Sequence, residues 1–271
     1  MKLGVYLYGL ATLAAGVFDL IWGEFEPGHQ PIQAWGTGIS HQQVLAYIAA
    51  VWLILAGAAI MWRRTARAGA AACVVIYSVF AVFWLPRFVT APRVLGFHLA
   101  VYIGVMGGVA QQAILIMAAV IVYTLFATRA SGTPENVAII ARLTFGLSSL
   151  NFGIDHFTGV RLVAALVPSW LPFGGNFWAV LTGIAFLLAG IAILLGILDV
   201  LAARLLALML LVFSVLALAP PVFRDPRSHA AWGANAYNLA AAGAAWIFAE
   251  WIAGRNPRQR HGDDEQLLQV S

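Results

Sequence analysis

The sequence predicts an all-α membrane protein with eight transmembrane helices, arranged as two parallel four-helix repeats. Three observations favour this fold class, and the first is composition. Hydrophobic residues make up 62% of the chain and charged residues 10%, against roughly 25% charged residues in soluble domains. The second is that eight apolar stretches are long enough to cross a bilayer core, which takes about 20 residues of helix. These stretches are apolar on every face and lack the alternation that is typical of a strand. We therefore expect helices, because a helix satisfies its own backbone hydrogen bonds inside lipid.

The third observation is an internal repeat. Four blocks recur in the same order: 8–16 as 145–153, 55–60 as 188–193, 78–81 as 214–217, and 92–93 as 226–227. The offset stays between 133 and 137 residues, which is hard to obtain by chance even in a sequence rich in Ala and Leu. Because each copy has an even number of spans, both copies enter the membrane in the same sense.

Each span is supported in turn by length and hydropathy. In chain order the predicted spans are 3–22, 44–62, 66–85, 104–127, 137–157, 177–198, 202–219 and 230–252. The first follows Lys2 and has the appearance of a signal peptide, but it aligns with the fifth span and is therefore counted as a true span. Between the third and fourth spans the first half carries about ten extra residues. This extra segment, 93–102, predicts an interfacial or re-entrant helix on the outer face.

The predicted domain boundaries follow the repeat. Residues 1–128 form the first repeat with a long outer loop at 23–43, and 129–136 form a linker. Residues 137–254 form the second repeat, and 255–271 form a polar cytoplasmic tail. Long loops of this kind are usually functional or disordered.

Charge placement predicts the orientation in the cell (cytoplasmic) membrane. Ten of the fifteen Lys and Arg residues lie on the side of the two termini, so the positive-inside rule places both termini in the cytoplasm. The net charge of +4 then reflects topology, and no nucleic-acid partner is expected. The expected partners are the lipid bilayer, whose anionic headgroups suit basic loops, and other membrane subunits or further copies of the chain. Cys73 is the only cysteine, which excludes an intramolecular dithiol mechanism.

An ionisable side chain in hydrocarbon is expensive and needs a reason. Asp155 and His156 lie at the outer end of the fifth span, and in the repeat alignment Asp19 falls opposite His156. Asn151 shares a helical face with Asp155. Near the outer start of the eighth span, Asn235 and Asn238 share another face, with Tyr237 beside them. Two polar stripes in the outer half of one unit predict a shared pocket.

Two other interpretations of these residues stay open. Asp155 and His156 are also suited to capping the outer helix end, and polar side chains often join membrane helices without binding a ligand. The six histidines are scattered, with no pair at helical ligand spacing, so no metal site is predicted. A bis-histidine haem would need a long-range pair such as His98 with His156, which the sequence favours less than a quinone. Phosphate-binding loops, serine elbows and zinc-protease motifs are absent from the sequence.

The order of motifs in the second half resembles the DoxX-like membrane family. These motifs are Asn-Phe-Gly-Ile-Asp-His-Phe at 151–157, Val-Pro-Ser-Trp-Leu-Pro at 167–172, Thr-Gly at 182–183 and Leu-Ala-Gly at 188–190. The resemblance covers about residues 142–250, with the first half as a diverged copy. It implies a four-helix unit. Namesake members of the family are similar to the membrane subunit of a thiosulfate:quinone oxidoreductase, which implies a redox role with quinone as the cofactor.

Three functions follow from these observations, and whether the chain is an enzyme stays open. The first is a quinone-interacting redox subunit, in which His156 exchanges a proton and Asp155 orients it. Its quinone site would comprise Asn151, Asn235, Asn238, Tyr237, Trp170 and Trp178. The second is a noncatalytic accessory or structural subunit of a larger membrane complex. The third is transport of a small apolar molecule, which needs a cavity that reaches both leaflets.

Overall fold

The structure, a computed structural model, describes residues 2–29, 41–127 and 135–255. The described residues are almost entirely helical and contain no strand. The helices are α1 Lys2–Trp22, α2 Gln42–Met61, α3 Ala66–Trp84, α4 Arg87–Leu95, α5 Leu99–Ala127, α6 Glu135–Thr158, α7 Val160–Leu166, α8 Gly174–Leu195, α9 Asp199–Phe213, α10 Ala219–Arg224 and α11 His229–Ala253. A π-helical turn, Ser214–Leu218, joins α9 to α10. Parts of the predicted outer loop (30–40), linker (129–134) and tail (256–271) lie outside the described residues.

The long helices pack as a closed ring in chain order. Helix α1 packs on α2, α2 on α3, α3 on α5, α5 on α6, α6 on α8, α8 on α9, α9 on α11, and α11 returns to α1. Helices α5 and α11 also contact each other across the ring and divide it into two lobes. We call the part with α1, α2 and α3 the first lobe, and the part with α6, α8 and α9 the second lobe.

Successive long helices run in opposite directions, so every long helix begins at one end of the bundle and finishes at the other. We call these the proximal and distal ends. The proximal end carries Lys2 and Ala253, and the distal end carries Trp22, Thr158 and His229. Polar contacts between neighbouring helices connect them at both ends of the bundle. At the distal end the Trp22 indole donates to the Arg227 carbonyl oxygen.

At the proximal end of the second lobe, an ion pair joins α6 to α9. Arg142 Nη2 lies 2.8 Å from Asp199 Oδ2, and Arg142 also donates to the Ile193 carbonyl oxygen. The guanidinium therefore joins α6, α8 and α9 at the proximal end, and the Asp199 side chain is almost fully buried.

Glycines let the first two helices of each lobe cross closely. A Cβ on Gly57 would lie 2.6 Å from the Gly9 carbonyl oxygen, and a Cβ on Gly190 would lie 2.8 Å from the Gly146 carbonyl oxygen. Close approach of this kind is how membrane helices gain dispersion energy, because lipid supplies no hydrophobic drive between them. The small residues of the sequence thus serve packing, as their density in the spans indicates.

Seven of the described helical segments are long and apolar enough to cross a membrane: Lys2–Trp22, Gln42–Met61, Ala66–Trp84, Leu99–Phe126, Glu135–Thr158, Gly174–Leu195 and Asp199–Arg224. The protein is therefore an all-helical, multi-pass membrane protein. Helix α11, the eighth predicted span, has 25 residues but is not one of the seven. Its centre is built of Ala and Gly and it carries Asn235, Asn238 and Glu250, so its side chains are less apolar than those of a lipid-facing helix.

The connections differ from the expected ones in two places. The extra segment of the first half forms α4 at Arg87–Leu95, and α5 already begins at Leu99. The predicted helix at 93–102 is therefore misplaced, because Gly96 with φ 93° ends α4 and separates it from α5. A further short helix, α7, was not expected between the fifth and sixth spans and ends just before Pro168.

Candidate functional site

A cavity of about 660 Å³ lies in the second lobe. Its walls come from α6, α8, α9, the α7–α8 connection and α11, with Gln111 of α5 reaching it from the ring centre. Apolar side chains of α9, from Leu205 to Val212, line its deep part, while Asp155 and His156 lie at its distal end. We call it the second-lobe cavity. A mostly apolar pocket with a few polar groups is the usual form of a small-molecule site.

His156 is the polar side chain whose orientation is best defined. Its Nδ1 lies 2.8 Å from the Phe152 carbonyl oxygen, one helical turn back. A carbonyl oxygen only accepts hydrogen bonds, so Nδ1 carries the hydrogen and a neutral ring keeps Nε2 as its free acceptor. The ring centre lies 5.0 Å from that of Phe186 and 6.3 Å from that of Phe213. Aromatic rings therefore fix the imidazole plane while one nitrogen stays available.

Asp155 lines the same cavity but holds His156 by no described hydrogen bond. The expectation was that Asp155 orients the imidazole, whereas the Phe152 carbonyl oxygen does so. Adjacent residues of a helix point in directions about 100° apart, which explains why the two side chains do not pair. Asp155 is thus a separate carboxylate at the cavity rim.

Trp178, Tyr237 and Asn238 complete the part of the predicted site that the structure brings together. The Trp178 indole donates to the Pro172 carbonyl oxygen at 2.8 Å, which fixes its ring as a wall. The Asn238 amide donates to the Leu210 carbonyl oxygen and to Ser214 Oγ, so it holds α9. The Tyr237 hydroxyl is buried and has no hydrogen-bond partner among the described residues.

Three predicted site residues are not among the cavity-lining residues. Asn151 is buried and donates to the Ile103 carbonyl oxygen of α5, on the other side of α6. Asn235 lies one turn nearer the distal end of α11 than the cavity-lining residues, and its Oδ1 is buried without a partner among the described residues. Trp170 is 70% exposed in the α7–α8 connection. The two polar stripes therefore do not face one pocket as whole units, because Asn151 of α6 faces α5 while Asp155 lines the cavity.

Sequence reasoning missed Leu216, a cavity-lining residue whose carbonyl oxygen lacks the usual helical donors. Leu216 lies in the π-helical turn and lines the cavity. Its helical donors would be residue 220 in an α-helix or residue 221 in a π-helix, and both are proline. Backbone groups freed in this way are tolerated at membrane depth where they line a cavity. The Pro220-Pro221 pair inside an apolar run was the available signal.

A second polar cluster lies at the distal end of the first lobe. Asp19 is fully buried in α1, and its Oδ1 lies 3.0 Å from His229 Nε2 of α11. The Glu26 amide donates to the same oxygen. The repeat had brought attention to Asp19, but nothing in the sequence pointed to His229, which contacts it across 210 residues of chain.

Glu26 and Arg87 border this cluster outside the spanning helices. Burial raises the pKa of the Glu26 carboxyl above its usual range, although His29 and the Gly28 amide act in the opposite direction. Burial also lowers the pKa of the Arg87 guanidinium, which Glu26 partly offsets. The segment before His29 is hydrogen bonded over these two groups. Arg87 donates to the Pro27 carbonyl oxygen, and the Trp84 indole donates to the Gly28 carbonyl oxygen.

Chemically, the second-lobe cavity offers the His156 imidazole and the Asp155 carboxylate against aromatic and aliphatic walls, with Tyr237 and Leu216 also among its lining residues. These groups suit a ring with oxygen substituents and an apolar tail better than a metal ion. Within the described residues, no group of three or more His, Cys, Asp or Glu side chains is placed to hold a metal. Comparison with known proteins finds no matching family model, no matching curated protein and no matching solved structure.

Proposed function

We propose that this chain is a DoxX-like membrane protein that binds a quinone in the second-lobe cavity and serves as a redox subunit. The observation that carries the proposal is the fixed tautomer of His156. With Nδ1 held by the Phe152 carbonyl oxygen, Nε2 can take up a proton, and the imidazolium that forms can donate it to a quinone carbonyl oxygen. Trp178 supplies a rigid aromatic wall, and the apolar side chains of α9 accommodate a tail.

The architecture that we propose has eight spans in two four-helix repeats. Helix α11 is then the eighth span, shielded from lipid by its neighbours, which explains its lower hydropathy. Matching glycine crossings support the repeat: Gly9 with Gly57 in one unit occupies the same register as Gly146 with Gly190 in the other. An even number of spans and the positive-inside rule support cytoplasmic termini in the cell membrane.

Quinone binding is tested on purified protein in lipid nanodiscs with decylubiquinone as the probe. Quenching of tryptophan fluorescence gives the dissociation constant, and mass spectrometry identifies native quinone that purifies with the protein. We expect His156→Ala to weaken binding about tenfold, the effect of losing one good hydrogen bond. His98→Gln, an exposed histidine of the same end, is the matched control. Wild-type protein that binds no quinone, or equal affinity in His156→Ala, would contradict the proposal.

The second candidate function is a noncatalytic accessory subunit. It is favoured by an apolar groove of about 710 Å³ on the outside of the ring between α2 and α3. Trp52 lies in this groove with its indole hydrogen bonded to the Ala72 carbonyl oxygen, and Ala68 is one of the small residues that line it. A transmembrane helix of a partner subunit fits such a groove. Stable purification with another membrane chain, lost in Ala68→Trp, would support this function.

A further inference from the structure

The polar cluster of the first lobe lies outside the second-lobe cavity, yet it leads from the distal surface towards it. We name the set Glu24, His229, Asp19, Glu26 and Tyr237 the relay cluster. Its outermost member, Glu24, has a side chain that is 59% exposed, while that of Asp19 is 0% exposed. Ionisable residues buried in membrane helices commonly mark proton relays or ligand sites.

His229 connects the exposed carboxylate to the buried one. Its Nδ1 lies 3.6 Å from Glu24 Oε1, and its Nε2 lies 3.0 Å from Asp19 Oδ1. The Trp22 indole stacks on the imidazole with 5.0 Å between ring centres and 5° between planes, which keeps the ring in this position. An imidazole with one nitrogen towards each of two carboxylates can accept a proton at one nitrogen and release another from the opposite one.

Asp19 is not satisfied as a purely structural carboxylate would be. Its Oδ1 lies near His229 and accepts the Glu26 amide hydrogen, but its Oδ2 is buried with no hydrogen-bond partner among the described residues. An unpaired buried oxygen loses its hydrogen bonds to water without replacement, so most native structures avoid it. A carboxyl that picks up and passes on protons needs a free oxygen of this kind.

Glu26 extends the cluster along α11. A Cβ on Gly233 would overlap Glu26 Cγ, so the glutamate side chain lies directly on this helix at Gly233. Tyr237 follows one turn later, on the same face. Helical side chains lean towards the N-terminus, which directs the tyrosine ring back over the Gly233 turn. The Tyr237 hydroxyl is buried without a partner among the described residues, while its ring lines the second-lobe cavity.

We propose that the relay cluster conducts protons between the distal surface and the second-lobe cavity, in the order Glu24, His229, Asp19, Glu26, Tyr237. Each step moves one proton from a donor oxygen or nitrogen to the next acceptor, and ordered water bridges gaps longer than a hydrogen bond. The inference rests on the proposed function for its purpose. Reduction of a bound quinone to quinol takes up two electrons, which in the proposed function come from the electron-donating partner subunit of the redox complex, and two protons, which the relay supplies to a cavity with apolar walls.

The other titratable groups that face the path are few. The charged neighbours that interact electrostatically with Glu26 include His29, within its own segment, and Arg87 of α4. The titratable neighbours of Tyr237 include Tyr77 of α3 and Glu26. Burial favours the protonated form of Glu26. A protonated carboxyl can donate to the tyrosine hydroxyl, whereas a carboxylate cannot.

The first test needs no quinone. The pH is first lowered until the carbonyl band of the protonated Glu26 carboxyl appears, a band that Glu26→Gln identifies by its loss. Infrared spectroscopy in D2O then follows hydrogen–deuterium exchange of this band. We expect His229→Gln to slow this exchange at least about tenfold, because the path from the surface is interrupted. Glu24→Gln, a change of an exposed residue that leaves the fold intact, slows it less. Exchange as fast as wild type in both variants would overturn the relay.

The second test couples the relay to the cavity. Decylubiquinone bound in nanodiscs is reduced at an electrode, and a pH-sensitive dye records proton uptake per bound quinone. We expect about tenfold slower uptake in Glu26→Gln and in Tyr237→Phe, and the wild-type rate in Asp225→Asn, an exposed acid of the same end. Unchanged uptake in Tyr237→Phe would disprove the link to the cavity. Failure of the wild type to bind decylubiquinone contradicts the proposed function, while the infrared exchange still decides whether the relay exists.

Discussion

Glu26 is the buried carboxyl whose ionisation should affect folding most directly. Burial raises its pKa above the usual value of about 4.3 for glutamate. Below that usual value both the folded and the unfolded chain are protonated, and the stabilising contribution of the protonated carboxyl is complete. As the pH rises towards the raised pKa of the folded state, the unfolded chain loses its proton more readily, and this contribution is lost.

The stability of the wild type should therefore decrease as the pH rises across this window, whereas the stability of Glu26→Gln should not. The measurement is thermal unfolding of both proteins in detergent from about pH 4 to about pH 8. Asp19, His29, Arg87 and His229 are present in both proteins, so the difference between them isolates Glu26. A difference that does not change with pH would show that the folded-state pKa is not raised.

Sequence reasoning at this scale found the residues of the second lobe better than those of the first. Asp155 and His156 stood out because both are ionisable at the end of an apolar run. The Asp19–His229 contact joins the first span to the last helix, so no local pattern could show it. Asn151 was assigned to the cavity from its helical face, but the neighbour of that face depends on ring order, which a single sequence does not contain.

At the scale of elements, the helix crossings of both lobes depend on glycine. Gly57→Ala should destabilise the protein by roughly 1–3 kcal/mol, because the new Cβ would press on the Gly9 carbonyl oxygen and the α1–α2 crossing must open. Gly104→Ala is the matched control, since its Cβ meets nothing within 4 Å, and higher helix propensity should leave stability unchanged or improved. Thermal unfolding in one detergent compares the two variants. Equal effects would show that the crossing is not tightly packed.

The π-helical turn between α9 and α10 contributes Leu216, Ala217 and Leu218 to the wall of the second-lobe cavity. Pro220→Ala supplies an N–H for the Leu216 carbonyl oxygen, so the chain can form one more α-helical hydrogen bond before Pro221. We expect thermal stability to rise, by about 1 kcal/mol, and decylubiquinol affinity to fall, because a quinol hydroxyl loses the carbonyl oxygen that could accept its hydrogen. Pro86→Ala, at the start of α4, should change neither. Increased stability with unchanged affinity would exclude Leu216 from the binding site.

The existence of the long helices was predictable, but their connections were not. Apolar length defined several of the long helices to within a few residues, as in Ala66–Trp84 for the predicted 66–85, whereas α5 begins five residues before the predicted 104. Short helices such as α7 bury no residue and follow no period long enough to detect. The limit of α4 is set by a single positive φ at Gly96, whereas the sequence showed only that about ten residues were extra.

At the scale of the whole molecule, the charge distribution predicts a single orientation in the membrane. Arg64 lies exposed in the turn between α2 and α3 at the proximal end, and Asp225 lies exposed before α11 at the distal end. Lys and Arg are more abundant at the proximal end, so this end should face the cytoplasm. Cys73 is fully buried and should react with no water-soluble thiol reagent, so new cysteines can be read without background.

Intact cells that express Asp225→Cys should therefore be labelled by a membrane-impermeant maleimide, and cells that express Arg64→Cys should be labelled only after permeabilisation. The same orientation places Glu24 and the outer end of the relay cluster on the external side, where the proton supply would be extracellular. Labelling of Arg64→Cys in intact cells would reverse the orientation without altering the fold. The relay would then draw its protons from the cytoplasm, and redox turnover would consume internal instead of external protons.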